Sequence, residues 1–182
     1  MLGIVFSEFV DMVEASFSAD MVDDILDDTG FETDGAYSTV GAYDHQELVG
    51  LVVALSKRTG ISIDDLVQAF GQHLMVRFAE RYRFFFEGVT DFFDFLKSVD
   101  NQIHVEVRKL YPVAELPRFV VRDINPTTVV MEYHSSRSFE NLARGLIEGA
   151  ADYFNQPVSI SMETKKEATD QKFTEFTITT LP

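Results

Sequence analysis

The stretch TDFFDFLKSVDNQIHVEVRKLYP, residues 90–112, decides how the rest of the chain folds around it. Its apolar residues recur at three- and four-residue spacing, which predicts a helix with one apolar stripe. The stripe consists of Phe92, Leu96, Val99, Ile103, Val107 and Leu110. His104 lies at the edge of this stripe, one helical turn from Asp100 and from Arg108. Its imidazole is either packed in the core or an inward-facing metal ligand, and packing is the commoner use of a lone helical histidine.

The length and composition predict one globular domain over residues 1–182. The chain has 182 residues, of which 46% are apolar, enough for a sizeable core. No apolar run reaches the length that spans a bilayer. Glu8, Asp11 and Glu14 interrupt the first apolar stretch, which argues against a signal peptide or a membrane anchor.

Cysteine usage and charge exclude several classes of site. The chain has no cysteine, so disulfides, thiolate nucleophiles, iron–sulfur clusters and cysteine zinc sites are excluded, and a cytoplasmic location fits. The formal net charge is −15 and is spread along the chain, which disfavours nucleic acid and anionic membranes as partners. An anionic ligand therefore needs a local cluster of donors.

The first part of the chain is predicted to be helical. Periodicity predicts helices over residues 3–17, 19–29, 44–59 and 62–84, with Gly30 and Gly60 after the second and third and Ser62 as N-cap of the fourth. The fourth helix carries a row of large apolar residues: Leu66, Phe70, Leu74 and Phe78. This row and the phenylalanines from Phe84 to Phe95 suit either a core or the wall of an apolar ligand cavity.

The second part is predicted to contain an antiparallel sheet of about four strands. A period of two predicts strands over residues 119–122, 128–133, 158–163 and 173–180, with turns at 124–126 and 164–170. A helix over residues 139–155 lies between the two pairs of strands. Helices first and strands later indicate the α+β class.

A candidate anion clamp follows the second strand. Tyr133, Ser135 and Arg137 fall at i, i+2 and i+4, so a strand that continued to Arg137 would project all three from one face. A guanidinium and two hydroxyls can hold carboxylates. The alternative is a solvated strand end with a surface arginine. These three residues alone do not distinguish it from an anion clamp.

These motifs together resemble the heme nitric oxide/oxygen binding (H-NOX) family, bacterial relatives of the sensor domain of soluble guanylate cyclase. The resemblance covers essentially the whole chain, and each motif is only moderately specific, but their order and spacing agree. It is carried by Gly3-Ile4-Val5, Ala69-Phe70-Gly71, His104 in IHVEVRKLYP, the Tyr-x-Ser-x-Arg motif at 133–137 and Gly145-Leu146-Ile147-Glu148-Gly149.

The resemblance implies a heme b cofactor (iron protoporphyrin IX) held between the helical part and the sheet. A histidine in the position of His104 is the proximal iron ligand in this family. Tyr133, Ser135 and Arg137 then clamp the heme propionates, and Pro117 presses on the porphyrin and helps to hold it non-planar. The expected division is a helical unit of about residues 1–60 and a heme-binding unit of about residues 61–182.

The resemblance also implies which gas binds. Oxygen-binding members place a tyrosine five residues after the motif arginine, where this chain has Leu142. The cofactor pocket is expected to include Val5, Phe9, Leu74, Phe78, Leu142 and Leu146, which are all apolar. Oxygen binding depends on a hydrogen bond in a dry pocket, whereas nitric oxide and carbon monoxide do not need one. Nitric oxide is therefore the expected ligand, with His73 and His134 pointing away from it.

The implied function is a ligand switch and not catalysis. In this family nitric oxide weakens the bond between histidine and iron, and a separate effector, commonly a histidine kinase or a cyclic-di-GMP enzyme, reads the resulting shift. Without cysteines, no structural zinc is expected. Two alternatives remain: a peroxidase, which would need a polar distal face, and a module that binds a non-heme small molecule or a lipid.

Overall fold

The computed structural model of the chain describes residues 1–167 and 169–182 and confirms the predicted α+β fold. The helices are α1 (Gly3–Ser16), α2 (Ala19–Thr29), α3 (His45–Thr59), α4 (Ile63–Arg81), α5 (Phe92–Ser98), α6 (His104–Leu110) and α7 (Glu140–Tyr153). The strands are β1 (Arg118–Asn125), β2 (Thr128–His134), β3 (Val158–Lys166) and β4 (Lys172–Thr180).

Capping residues explain where the early helices begin and end. The side chains of Ser18, Asp44 and Ser62 accept hydrogen bonds from backbone N–H groups in the first turns of α2, α3 and α4. Helices α2 and α3 end at Gly30 and Gly60, which have left-handed φ angles of 60° and 75°. Glycine adopts this conformation without the steric penalty of a Cβ atom, so both helices stop where the sequence predicts.

Helix α4 ends at Arg81, earlier than the predicted end near residue 84. Tyr82 leaves the helical region with φ −121° and ψ 47°, and Arg83–Phe85 form a 3-10 turn. This change of direction brings Phe86 into the core, where its ring stacks on Phe95 with centroids 4.9 Å apart. The helical spacing of apolar residues continues past Arg81, which is why the sequence predicted a longer helix. The packing of the aromatic rings ends the helix earlier.

The segment 90–112 is helical but is not one continuous α-helix. Between α5 and α6, Val99–Ile103 form a π-helical turn in which the backbone N–H of His104 donates to the carbonyl of Val99, five residues earlier. Phe92 and Leu96 before this turn are buried, whereas Leu110 after it is 67% exposed. The predicted apolar stripe is therefore core only in its first half.

The four strands form one antiparallel sheet in the order β1-β2-β4-β3. Alternate residues of the two central strands, Val129, Met131, Phe176 and Ile178, are buried on one face. The β3–β4 pairing continues to Lys166 opposite Lys172, so these strands extend further than predicted and the 164–170 turn prediction began too early. Residue 168, which belongs to that prediction, lies outside the described residues.

The buried residues form two clusters that meet along α4. One cluster lies between α1, α2, α3 and the first half of α4, with Phe6, Phe9 and Phe70 almost fully buried. The other includes the second half of α4, α5, α7 and the inner face of the sheet. The division into units of about residues 1–60 and 61–182 stays a prediction, since α4 contributes to both clusters.

Helices α4 and α7 approach each other closely at glycine residues. A Cβ atom at Gly145 would lie 2.0 Å from the Gln68 carbonyl oxygen, and one at Gly71 would lie 2.4 Å from the Leu142 carbonyl oxygen. No side chain fits at either position without moving backbone. Glycine is thus required here for space, and the contact fixes how α7 lies on α4.

Within the part of the chain that the structure describes, no helix combines the length and the apolarity needed to cross a membrane.

Replacing Gly145 by alanine is expected to lower the free energy of unfolding by about 1–3 kcal/mol, because the added methyl group overpacks a contact made by backbone atoms. Gly50→Ala on α3 is the matched control, since its Cβ would meet mainly the ring of Phe31, a side chain that can move. Thermal unfolding of both variants checks this, and equal losses of stability would contradict it.

Candidate functional site

A cavity of about 680 Å³ lies between α4 and α7 on one side and α6, β1 and β2 on the other. Its volume falls in the range of about 300–1,000 Å³ that cofactor and ligand sites occupy. Most of its wall is aliphatic or aromatic. The polar lining residues are Tyr82, His104, Tyr111, Glu115, Arg118, Tyr133, His134, Ser135, Ser136, Arg137, Glu167 and Gln171.

His104 lines this cavity from the first turn of α6. Its Nδ1 lies 3.3 Å from Oδ1 of Asp100. Because a carboxylate can only accept, this contact places the proton on Nδ1 and leaves Nε2 with a lone pair that can bind a metal. Burial lowers the pKa of His104, outweighing the opposing effect of Asp100, and Arg108 lowers it further. The imidazole is therefore neutral at neutral pH, as a metal ligand must be.

The π-helical turn before His104 was not predicted from the sequence. Such turns occur frequently at functional sites. Asn101 within the turn donates from Nδ2 to the Lys97 carbonyl oxygen at 3.0 Å. The adjacent Asp100 and Asn101, both weak helix formers, are the signal that could have indicated an irregular helix at this point.

Tyr133, Ser135 and Arg137 all line one end of the cavity, but not through the predicted strand alternation. Strand β2 ends at His134, and the chain then turns. The Arg137 backbone N–H donates to Ser135 Oγ at 3.0 Å, and the Tyr133 hydroxyl donates to the Arg137 carbonyl at 3.3 Å. Burial raises the pKa of Tyr133, so its phenol stays protonated. The strand-based prediction was wrong, since local hydrogen bonds bring the three residues together.

The guanidinium of Arg137 is paired with a residue that sequence reasoning missed. Its Nη2 bonds the carboxylate of Glu115, and its Nη1 lies 3.5 Å from the Glu115 carbonyl oxygen. Glu115 belongs to the connection between α6 and β1, which also contains Pro117. Pro117 lines the cavity, whereas Pro112 is not among its lining residues. Five residues of this connection therefore reach the site: Tyr111, Ala114, Glu115, Leu116 and Pro117.

The wall formed by α1, α4 and α7 is apolar, and five of the six predicted pocket residues lie in it: Val5, Leu74, Phe78, Leu142 and Leu146. Phe9 is not among the lining residues. It is fully buried and packs edge-on against Phe70 with centroids 5.2 Å apart. The row of large apolar residues predicted on α4 is therefore part core and part cavity wall. Leu66 and Phe70 lie in the core, and Leu74 and Phe78 reach the cavity.

Two tyrosines add phenol groups to the lining that the sequence reasoning did not consider. Tyr82 follows α4 and Tyr111 follows α6. Burial raises the pKa of Tyr82, and the nearby Tyr111 adds to this effect. Tyr82 therefore carries its proton at neutral pH and is a hydrogen-bond donor on an otherwise apolar wall.

His73 and His134 both face carboxylates. His73 Nε2 lies 3.7 Å from Oε2 of the buried Glu8, which also accepts from Nε of Arg77 at 2.9 Å. His73 does not line the cavity. His134 borders its polar end, with Nε2 3.1 Å from Glu132 and Nδ1 3.3 Å from Glu167. Neither ring adds to the apolar wall of α1, α4 and α7.

The lining fits a heme. His104 offers a neutral imidazole nitrogen for iron, and Arg137 and Ser135 offer a cation and a hydroxyl for propionates. The aromatic and aliphatic walls suit a large flat macrocycle. The roles of the individual residues remain predictions.

The sequence matches the family model described as Haem-NO-binding over residues 2–162. A search of curated proteins gave no match to the chain. Among solved structures, an unliganded Fe(II) H-NOX protein from K. algicida is 36% identical with a TM-score of 0.90, covering 100% of this chain and 97% of that one.

Two further solved structures carry gas ligands in their own sites. An H-NOX protein from S. oneidensis in the Fe(II)NO state is 28% identical with a TM-score of 0.91, and the match covers 100% of both chains. An H-NOX protein from Shewanella woodyi in the Fe(II)CO state is 36% identical with a TM-score of 0.85, covering 100% of this chain and 95% of that one. The resemblance found in the sequence is thereby confirmed, and the chain belongs to the Haem-NO-binding (H-NOX) family of heme-based gas sensors.

Proposed function

We propose that this chain senses nitric oxide at ferrous heme b, excludes oxygen and signals to a separate effector protein. The observation that supports this most directly is the combination of one neutral imidazole, one cationic end and one apolar wall around a single cavity. When bound, heme supplies an iron that takes a diatomic gas. H-NOX domains are sensor domains and not enzymes, so a binding switch is the function to expect.

On the proximal side, we assign His104 as the iron ligand and Asp100 as the residue that orients it. The carboxylate holds the Nδ1 proton and thereby aims Nε2, as outer partners of metal-bound histidines commonly do. His104 directly follows the π-helical turn, and Pro117 lines the same cavity. A displacement of His104 would therefore move α6 and the connection that contains Pro117.

On the distal side, we assign gas selectivity to Leu142 and its apolar neighbours Val5, Leu74 and Leu146. Aliphatic side chains donate no hydrogen bond, so they stabilise oxygen poorly and leave nitric oxide and carbon monoxide unaffected. The relatives from S. oneidensis and S. woodyi were solved with NO and CO, respectively. Tyr82, which follows α4, is a hydrogen-bond donor that borders this apolar wall and could stabilise bound oxygen.

We infer that the output is a change in contact with a second protein. A ligand shifts an equilibrium only as far as it binds the two states differently, and here that difference would arise at His104. A histidine kinase or a cyclic-di-GMP enzyme is the effector class to test first, in the cytoplasm.

Replacing His104 by glycine is expected to reduce heme occupancy at least about tenfold, because losing a metal ligand costs more than losing its outer partner. The measurement is the Soret absorbance of protein purified with heme supplied, with and without added imidazole, which should restore binding. His45→Gly, outside the cavity, is the control. A wild-type chain that takes up no heme would favour the alternative of a module that binds a non-heme small molecule or a lipid. Heme uptake unaffected by His104→Gly would refute the assignment of His104 as the iron ligand.

The Leu142→Tyr variant is expected to acquire oxygen binding that the unmodified protein lacks. A new hydrogen bond worth about 1 kcal/mol or more in a dry cavity slows oxygen dissociation by about fivefold or more. Absorption spectra of the reduced protein in air and under nitric oxide measure this. A wild-type spectrum that changes stably in air would contradict the Leu142 assignment, and its loss in Tyr82→Phe would identify Tyr82 as the donor.

A further inference from the structure

Arg137 is held in place at three points. Its backbone N–H donates to Ser135 and its carbonyl accepts from Tyr133, so the motif fixes the main chain. Its guanidinium is fixed separately by the carboxylate and the carbonyl oxygen of Glu115. The cation assigned to a heme propionate is therefore already engaged by a carboxylate of the chain itself.

The two members of this ion pair differ greatly in exposure. The Arg137 side chain is 13% exposed and that of Glu115 is 76% exposed. The exposed carboxylate of Glu115 is readily hydrated once released, whereas the mostly buried guanidinium of Arg137 needs a carboxylate partner. Glu115 can therefore leave Arg137 where another carboxylate, such as a propionate, takes its place.

A propionate at the same end of the cavity would need the same guanidinium. Glu115 occupies Nη2 of Arg137 with its carboxylate and Nη1 with its carbonyl oxygen, so a propionate that binds these two nitrogens in two-point contact must displace it. The other carboxylate lining this end, Glu167, lies against His134 and not against Arg137. Glu115 is thus the carboxylate of the described lining that is placed to compete.

We propose that Glu115 competes with a heme propionate for Arg137 and so weakens the chain's retention of heme. This inference rests on the proposed function, since it assumes that heme occupies the cavity. Because Glu115 lies two residues before Pro117 in the connection from α6, its release also frees that connection from the clamp. In this role Glu115 is a positioning residue, because it contacts Arg137 and acts on the heme only through it.

The test is the rate of heme transfer from the loaded protein to excess apomyoglobin, followed by absorbance. Glu115→Gln removes the competing charge and keeps the side chain's size, so heme loss should slow by about two- to fivefold. Glu163→Gln on β3 removes the same charge from an exposed position outside the cavity and should leave the rate unchanged. Heme loss from Glu115→Gln that is as fast as, or faster than, that of the wild type would overturn the proposal.

A double substitution shows whether the effect passes through Arg137. In the Arg137→Ala background, heme loss is faster overall, and adding Glu115→Gln should change it no further. An equal slowing in both backgrounds would overturn the proposal, because Glu115 would then act through general charge. Failure of the wild-type chain to take up heme would instead refute the proposed function, so the two failures are distinguishable.

Discussion

The close contact between α4 and α7 is the constraint on which the rest of the site depends. Gly71 and Gly145 allow the backbones to meet where no side chain fits, and this sets the distance between the two helices. Leu74 follows Gly71 by less than one turn, and Leu146 directly follows Gly145. The apolar wall of the cavity is therefore placed by a packing contact that contains almost no side-chain atoms.

The cavity separates three kinds of chemistry that would interfere if they were mixed. The imidazole of His104 is neutral because it is buried, the guanidinium of Arg137 is confined to one end, and α1, α4 and α7 contribute mainly hydrocarbon. In a chain of net charge −15, a cation such as Arg137 attracts the chain's own carboxylates. The pairing of Arg137 with Glu115 is a local consequence of that overall charge.

The sequence predicted features that depend on neighbouring residues and missed those that depend on distant ones. Gly30, Gly60 and Ser62 act within one turn of their helices, so their capping roles were predicted correctly. The early end of α4 depends on ring packing with Phe95, and the Glu115 contact joins residues 22 positions apart. Neither leaves a periodic signal. Tyr133, Ser135 and Arg137 do line one cavity, but strand β2 ends at His134 and does not continue to Arg137.

The π-helical turn at Val99–Ile103 has a consequence for how this segment tolerates change. Each residue of an α-helix advances the chain by about 100° around the axis, so the wider turn resets the direction in which His104 points relative to Phe92 and Leu96. The orientation of the imidazole is thus determined by the number of residues after Ser98 as well as by their identity. Substitutions in this turn preserve that register, whereas an insertion or a deletion of one residue would rotate the His104 imidazole away from the cavity.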